Sequence, residues 1–317
     1  MPGSSRLARL LQAACFAQLG AAAGWLIWRW TASPLQAVAG ATLFVFVGPV
    51  VLAIEFACLA VVGRSEDGLL RPTLSGLARA WLAETLDLYR TFWWRQPFRW
   101  RAEPDHLAPE CAGRPGVVLV HGFVCNRGFW TPWLRRLRPR GHAYVAVNLE
   151  PVFGSIEDYV ATINEAVARV HAATGFAPVL VAHSMGGLAA RAWWRTAGAR
   201  QVAHIVTIAS PHRGTWLGRF SRHANARQMH LRSDWLARLA SDEQRHPLPP
   251  TTCWYSNCDN IVFPVTTATL PHADNRFLPG HPHVSLAFRP EVLAATLDLL
   301  EQIGRRSSTC MFHRGGS

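Results

Sequence analysis

The pattern of apolar positions divides the chain into an N-terminal part that is almost wholly apolar and a later part in which short apolar runs alternate with amphipathic segments. The N-terminal part holds two long apolar stretches, 10–28 and 35–62, and Glu55 is the only charged residue in either. Each stretch is long enough to span a hydrocarbon core, which takes about 20 helical residues. Several tryptophans cluster near the end of the first stretch, as they do at a membrane interface. Residues 1–62 therefore predict a hairpin of two transmembrane helices.

A signal peptide is the alternative interpretation of the first stretch, with Arg6 and Arg9 as its basic region and residues 37–39 as its cleavage site. We favour retention in the membrane, because the stretch is long for a signal peptide and a second span follows it. Arginines flank the two stretches on both outer sides, whereas the loop between them holds only Arg29. The positive-inside rule then predicts that both ends of the hairpin, with the domain that follows, face the cytoplasm.

Residues 63–115 predict a connector between the hairpin and that domain. Its segment 74–92 has apolar residues at helical spacing with charges between them, which indicates an amphipathic helix. The next segment, 93–101, interleaves tryptophan and arginine; this composition suits the headgroup zone of a membrane and equally suits a helix packed on the domain. Proline and glycine are frequent in 103–116, so we expect a linker there.

From residue 116 onward, apolar runs that favour strands alternate with amphipathic segments that favour helices, and this alternation predicts an α/β fold. We expect a mostly parallel sheet with helices on both faces. The predicted strands are 117–121, 144–149, 179–183, 203–208 and 252–257, and the predicted helices lie near 128–138, 155–173, 185–196 and 290–303. The domain extends over 116–303, and we expect a flexible tail at 304–317.

The segment VLVAHSMGG, 179–187, has the form of a nucleophile elbow, a sharp turn from a strand to a helix that exposes a serine. An apolar run stops at Ser184, and a helical pattern begins at once. Because such a turn is strained, the residues two places before and after the serine must be small, and here they are Ala182 and Gly186. Gly187 would let the new helix pack close to the strand. The alternative is an ordinary serine that caps a helix.

A serine nucleophile also needs N–H donors for the oxyanion that forms on the carbonyl it attacks, and the run GVVLVHGF, 116–123, could supply one of them. A buried strand there ends in His121 and Gly122, and glycine permits a close approach of the backbone. We expect the N–H of Phe123 as one donor and the N–H of Met185 as the other. We interpret His121 as a structural residue that shapes this loop.

Two segments further along the chain carry a candidate acid and a candidate base. A short apolar strand leads to Asp259, and His283 lies in the segment GHPHVSL before the last predicted helix. Both positions follow strand ends, where a parallel sheet places its chemistry. Asp274 competes with Asp259 but has no predicted strand before it, and His281 competes with His283.

Together these motifs resemble the bacterial lipases and esterases of the α/β-hydrolase superfamily. The matching segments are VLVHGF at 118–123, AHSMGG at 182–187, IVTIASPHRGT at 205–215, YSNCDNIVFP at 255–264 and HPHVSL at 281–286. The resemblance implies an α/β-hydrolase fold, a catalytic triad of Ser184, Asp259 and His283, and cleavage of a lipid-like ester through an acyl-enzyme, with no metal and no cofactor. In this family a small or apolar residue and then Ser-Leu usually follow the base, which favours His283 over His281.

The resemblance fixes acyl-transfer chemistry more firmly than it fixes the substrate. A thioesterase, an acyltransferase or an amidase would use the same triad, and a non-catalytic membrane protein that retains the fold is a further alternative. Together with the hairpin, the resemblance implies a protein of the bacterial inner membrane with a catalytic domain in the cytoplasm.

The segment 216–250 is the variable part of the expected domain, and we predict that it forms a lid over the active site. Four apolar residues in it, Trp216, Phe220, Met229 and Trp235, could contact an acyl chain or could pack between helices.

Composition narrows the range of partners. The net charge is +12, and it comes wholly from arginine because the chain contains no lysine. The arginines are dispersed and no nucleic-acid-binding motif accompanies them, so we expect membrane lipid rather than nucleic acid as a partner. The seven cysteines show no spacing typical of a metal site.

Overall fold

The structure, a computed structural model, describes residues 5–63, 71–196 and 202–312, and the side chains of the last helix as far as Arg306. Its helices are α1 (Arg6–Trp30), α2 (Pro34–Val62), α3 (Leu74–Leu88), α4 (Gln96–Phe98), α5 (Thr131–Leu137), α6 (Val160–Thr174), α7 (Met185–Thr196), α8 (Ala224–Gln228), α9 (Asp234–Arg245), α10 (His283–Leu286) and α11 (Pro290–Phe312). Its strands are β1 (Val117–Val120), β2 (Tyr144–Ala146), β3 (Val179–His183), β4 (His204–Ile208), β5 (Thr251–Tyr255) and β6 (Asp274–Phe277). A π-helical segment, Tyr89–Arg95, joins α3 to α4.

The first two helices pack against each other as a hairpin. Side-chain hydrogen bonds join them, from Gln18 to the carbonyl oxygen of Phe44 (2.5 Å), from Trp25 to that of Gln36 (3.1 Å) and from Arg29 to the side-chain oxygen of Gln36. The mean hydropathy of their most apolar windows is 1.5 and 2.5, and both helices are long and apolar enough to cross a membrane. The two apolar helices that the sequence predicts are therefore present.

The connector helix α3 packs between α2 and the domain that follows. Trp81 donates a hydrogen bond to the main-chain oxygen of Pro49 in α2, and Tyr89 donates one to that of Val45; both donor–acceptor distances are 2.9 Å. Apolar side chains of α2, α3 and the loop after β5 form a small core, whose members are Phe56, Leu59, Leu77, Ala80, Cys258 and Phe263. One face of the predicted amphipathic helix is thus covered by protein.

Six strands form one parallel sheet in the order β2-β1-β3-β4-β5-β6, so the predicted mostly parallel sheet is confirmed. Every residue of β3, which leads to Ser184, is buried. The pattern of apolar residues does not predict β6, because this edge strand reads DNRF and is largely exposed. Asp274, which lies outside the five predicted strands, is the first residue of β6.

Helices cover both faces of the sheet, and alternate residues of each strand contact the two layers. Helices α5 and α11 pack on one face, against residues such as Val117 and Leu119. Helices α6, α7 and α9 pack on the other, against residues such as Val118 and Val120. The helices on both faces that the sequence predicts are therefore present.

The free side of β2 is covered by the linker that precedes β1. His106 and Tyr144 form an antiparallel bridge. The N–H of His106 donates to the oxygen of Tyr144 (3.0 Å), and the N–H of Tyr144 donates to the oxygen of His106 (2.9 Å). The linker therefore lies along the outer edge of the sheet.

The last helix is longer than the sequence predicts. It continues to Phe312, so residues 304–312, which we expected in a flexible tail, are helical. The remainder of that predicted tail, 313–317, lies outside the described residues.

Candidate active site

Ser184 lies at the turn between β3 and α7 with a φ angle of +54°, in the left-handed region that residues other than glycine rarely adopt. Its N–H donates to the main-chain oxygen of Ile208 (2.9 Å), and its own carbonyl oxygen accepts the N–H of Gly187 (3.0 Å). Ala182, two residues earlier, is fully buried in β3. This geometry is the strained strand-to-helix turn that the sequence predicts.

The glycines after the serine lie too close to their neighbours to carry side chains. A Cβ atom on Gly186 would be 2.6 Å from the main-chain oxygens of Val120 and His121. A Cβ atom on Gly187 would be 2.2 Å from the Oγ of Ser210, which follows β4. Close packing of α7 on the sheet therefore requires glycine at both positions.

The Asp259 carboxylate and the His283 imidazole form a buried pair. The Nδ1 of His283 lies 2.9 and 3.1 Å from the two carboxylate oxygens. The Oδ1 of Asp259 also accepts the N–H groups of Ile261 (2.9 Å) and Val262 (2.8 Å) in its own loop. Because the carboxylate only accepts hydrogen bonds, it fixes the proton of the neutral ring on Nδ1 and leaves Nε2 as a proton acceptor.

His183, which directly precedes Ser184, joins the elbow to the turn that carries His283. Its Nε2–H donates to the main-chain oxygen of His283 over 3.1 Å, and the two rings lie 4.7 Å apart. Burial keeps the pKa of His183 well below its usual value, so this ring is neutral. The residue before Ser184 therefore contacts the turn that carries His283 at the carboxyl edge of the sheet, and no hydrogen bond joins the Ser184 Oγ to the His283 ring among the described residues.

The electrostatic surroundings of His283 favour its protonated form. Burial by itself lowers the pKa of His283, but the opposing influences, of which the charge of Asp259 and its hydrogen bond are the largest, together raise the pKa above the ordinary 6.5. The carboxyl groups of Glu84 and Glu55 act in the same direction. Both belong to the N-terminal helices, and neither has a role predicted from the sequence. A lone charge in an apolar stretch, as at Glu55, is the one signal that could have indicated such a contact.

The loop after β1 lies against the serine. A Cβ atom on Gly122 would be 2.7 Å from the Cβ of Ser184, so only glycine permits this approach. His121 is held on both sides, because its Nδ1–H donates to the carbonyl oxygen of Gly122 (2.9 Å) and its Nε2 accepts the N–H of Leu149 (3.0 Å). Burial lowers the pKa of His121 to about 4, so the neutral ring shapes the loop.

The N–H groups of Phe123 and Met185 take part in no hydrogen bond among the residues that the structure describes. Phe123 follows Gly122 in the loop that contacts the serine, and Met185 begins α7 directly after the serine. The two N–H groups expected to bind the oxyanion therefore have no other hydrogen-bond acceptor among the described residues, and their role stays a prediction.

The four apolar residues predicted as acyl contacts fall into two groups. Met229 and Trp235 are buried in the main core, so they pack between elements. Trp216 is half-buried and stacks on Phe263, with ring centroids 5.9 Å apart. Phe220 packs edge-on against Trp216 and is 68 % exposed. Of the four, only Trp216 and Phe220 are accessible from solvent.

Asp274 and His281, the alternative acid and base, are not hydrogen-bonded to each other in the described part of the chain. Asp274 forms an ion pair with Arg276 (2.6 Å), and its side chain is 53 % exposed on the edge strand. His281 is partly exposed, and burial lowers its pKa. The carboxylate and the imidazole that are hydrogen-bonded to each other are those of Asp259 and His283.

Two cavities are lined by residues other than Ser184, Asp259 and His283. One, of about 390 Å³, lies between β4, β5, β6 and α11. The other, of about 760 Å³, lies in the segment 216–250, and its basic lining residues are Arg219, Arg222, Arg227, His230 and Arg238. The described part of the chain holds no cluster of three His, Cys, Asp or Glu side chains that could bind a metal ion.

Comparison with known proteins agrees with this architecture. A family model for the alpha/beta hydrolase family matches residues 117–302. The chain belongs to this family. The α/β-hydrolase fold that the sequence predicts is therefore confirmed.

Two solved lipases share the fold of this α/β hydrolase. The mature lipase BlEst2 of Bacillus licheniformis is similar with a TM-score of 0.53 and 16 % identity, over 62 % of this chain and 95 % of that one. Lipase B of Aspergillus fumigatus is similar with a TM-score of 0.55 and 18 % identity, over 64 % of this chain and 57 % of that one. At these identities the likeness concerns the fold alone. A search of curated proteins finds no significant match.

Proposed function

We propose that this α/β hydrolase is a membrane-anchored serine hydrolase that cleaves the carboxylic esters of lipid-like molecules. The observation that carries the proposal is the buried Asp259–His283 pair beside a serine at a φ of +54°. A serine that only caps a helix needs neither a strained backbone nor an acid–histidine pair next to it. Both features serve to expose a hydroxyl group and to remove its proton.

In the proposed mechanism, the Nε2 of His283 takes the proton of Ser184 while the serine Oγ attacks the ester carbonyl. Asp259 keeps the ring in the Nδ1–H tautomer and stabilises the imidazolium that forms. The N–H groups of Phe123 and Met185 donate to the oxyanion. The imidazolium then protonates the departing alcohol, and water attacks the acyl-enzyme by the same sequence of steps.

The proposed membrane anchor is the hairpin of α1 and α2. Large apolar side chains on it are open to solvent, with Leu35 80 % and Ile27 76 % exposed. An apolar surface of this kind is unfavourable in water and suits lipid. The arginines that flank the two apolar stretches on their outer sides favour a cytoplasmic domain at the inner membrane of a bacterium. Retention of the full-length chain in membranes washed with alkaline carbonate would support the anchor, and release of a processed chain would contradict it.

The proposed substrate class is supported by the surface of the segment 216–250. Phe220 offers an exposed apolar contact, and the arginine-lined cavity in the same segment offers positive charge to an anionic amphiphile. The two structural relatives are named as lipases, which agrees with an ester substrate.

The proposed function is tested directly with a fluorophosphonate probe and a series of p-nitrophenyl esters of increasing acyl length. An activated serine reacts with the probe, whereas a non-catalytic protein with the same fold stays unlabelled. The ester series identifies the preferred chain length. Parallel assays with thioester and amide substrates test the alternative acyl-transfer activities.

The choice of base leads to a prediction. We expect His283→Ala to lower kcat for ester hydrolysis by about 10³-fold or more, because the proton acceptor of the serine is lost. His281→Ala is the matched control, and we expect it to keep kcat within about threefold because it removes a neighbouring imidazole outside the acid–base pair. A larger loss in the His281 variant than in the His283 variant would reverse the assignment.

The surroundings of His283 also predict the pH dependence of activity. The base must be neutral to accept a proton, so kcat/KM rises as the pH passes the pKa of His283. Because that pKa is raised, we expect the midpoint of the rise above pH 6.5. The profile is measured with a p-nitrophenyl ester after subtraction of uncatalysed hydrolysis. A midpoint below pH 6.5 would contradict the raised pKa of His283.

A further inference from the structure

Glu84, in the connector helix α3, reaches the turn that carries His283. Its side chain is buried, and its two carboxyl oxygens accept the main-chain N–H groups of Val284 (2.8 Å) and Ser285 (3.2 Å). His283 begins the short helix α10, and N–H groups at the start of a helix have no partner inside it. A side chain from a distant part of the sequence supplies the partners here.

Glu55 reaches the same histidine from α2, through Asn260. The Nδ2 of Asn260 donates to the Oε2 of Glu55 (2.7 Å), and the Oδ1 of Asn260 accepts the N–H of His283 (3.3 Å). Asn260 is fully buried and directly follows Asp259. Side chains therefore accept three successive N–H groups, from His283 to Ser285. Glu84 accepts two of them directly, and Glu55 is linked to the third through Asn260.

Packing alone does not account for the carboxyl group of Glu84. Burial raises the pKa of Glu84 to about 8, and no salt bridge among the described residues includes it. A leucine of similar volume would fill the same space without the cost of removing a carboxyl group from water. What the carboxyl group adds is the pair of hydrogen bonds to the main chain after His283.

We propose that Glu84 and Glu55 are positioning residues of the active site, which hold the main chain at 283–285 and thereby the place of the His283 ring. The inference rests on the proposed serine hydrolase function. Its consequence is that the hairpin and the connector complete the active site in addition to anchoring it. Misplacing a catalytic group by about 1 Å can lower the rate on the order of 100-fold, so the effect falls on kcat rather than on substrate binding.

The test compares Glu84→Leu, which removes both acceptors, with Glu84→Gln, which keeps one oxygen. Full-length variants in detergent are assayed with p-nitrophenyl butyrate at pH 9, above the pKa of about 8 for Glu84. We expect the leucine variant to lower kcat by roughly 30-fold and the glutamine variant by roughly threefold, each with KM within about twofold of the wild type. Glu55→Leu should lower kcat by roughly fivefold, again with KM unchanged.

Tyr89→Phe is the matched control, because it removes a hydrogen bond between the connector and α2 that does not reach His283. We expect it to keep the kcat of the wild type. Wild-type kcat in a folded Glu84→Leu variant would overturn the positioning role. If Glu84→Leu does not unfold cooperatively as the wild type does, the test rests on Glu84→Gln. A wild-type kcat in Glu84→Gln would then overturn the positioning role, and a reduced kcat with unchanged KM would support it.

The wild type and Ser184→Ala are assayed beside these variants. If the wild type shows no activity that depends on Ser184, the proposed hydrolase function fails. If the wild type is active, Ser184→Ala is inactive and the Glu84 and Glu55 variants keep the kcat of the wild type, the positioning role fails and the hydrolase function stands.

Discussion

Ser184→Ala is expected to abolish ester hydrolysis, with a fall in kcat of about 10⁴-fold or more. The variant lacks the only atom of the proposed triad that forms a bond to the acyl group. The buried neighbours of the turn, and its main-chain bonds to Ile208 and Gly187, are unchanged, so we expect the fold to be kept. Turnover of a p-nitrophenyl ester, fluorophosphonate labelling and thermal unfolding are measured on the same preparation.

Ser210→Ala is the matched control for this experiment. Ser210 is also buried and follows the neighbouring strand, and its Oγ has no hydrogen-bond partner among the described residues. We expect the variant to keep both labelling and turnover. If Ser184→Ala keeps most of its activity while folded, the proposed nucleophile is wrong.

Asp259→Asn is expected to lower kcat by about 10³- to 10⁴-fold without unfolding the protein. The N–H groups of Ile261 and Val262 both donate to Oδ1, so the amide oxygen of asparagine takes that place. The amide NH₂ takes the place of Oδ2, 3.1 Å from the Nδ1 of His283, where it donates to Nδ1 and opposes a proton on that nitrogen. The ring proton is forced onto Nε2, which can no longer accept the proton of the serine.

The same variant should also move the pH profile. The charge of Asp259 is the chief influence that raises the pKa of His283, so its removal shifts the rise of the residual activity to lower pH. Asp274→Asn is the matched control, because this carboxylate is paired with Arg276 on the edge strand. Equal losses in the two variants would show that Asp259 has no special role.

The sequence predicts those elements of the fold that are determined by residues close together along the chain. The five predicted strands are buried apolar runs, and the elbow depends on small residues within a few positions of Ser184. The strand β6 is not determined in this way, because an edge strand of polar residues is stabilised by its neighbour and not by an apolar face of its own.

The candidate site is predictable only in part for the same reason. Strand ends and the family resemblance lead to Asp259 and His283, but the choice against Asp274 and His281 depends on which side chains meet. The contacts of Glu84 with residues 284 and 285 span 200 positions or more, and they follow from the docking of helices that no periodicity describes. Helical spacing likewise does not separate the buried Trp235 from the exposed Phe220.

Neither outer strand of the sheet offers a free apolar edge to another molecule. On one side, His106 already occupies the main-chain groups of Tyr144 that a further strand would need. On the other side, Asp274 and Arg276 would have to lose water if another strand were added. We therefore expect the domain to resist aggregation by strand pairing. We expect any self-association in detergent to occur through the exposed apolar surface of α1 and α2.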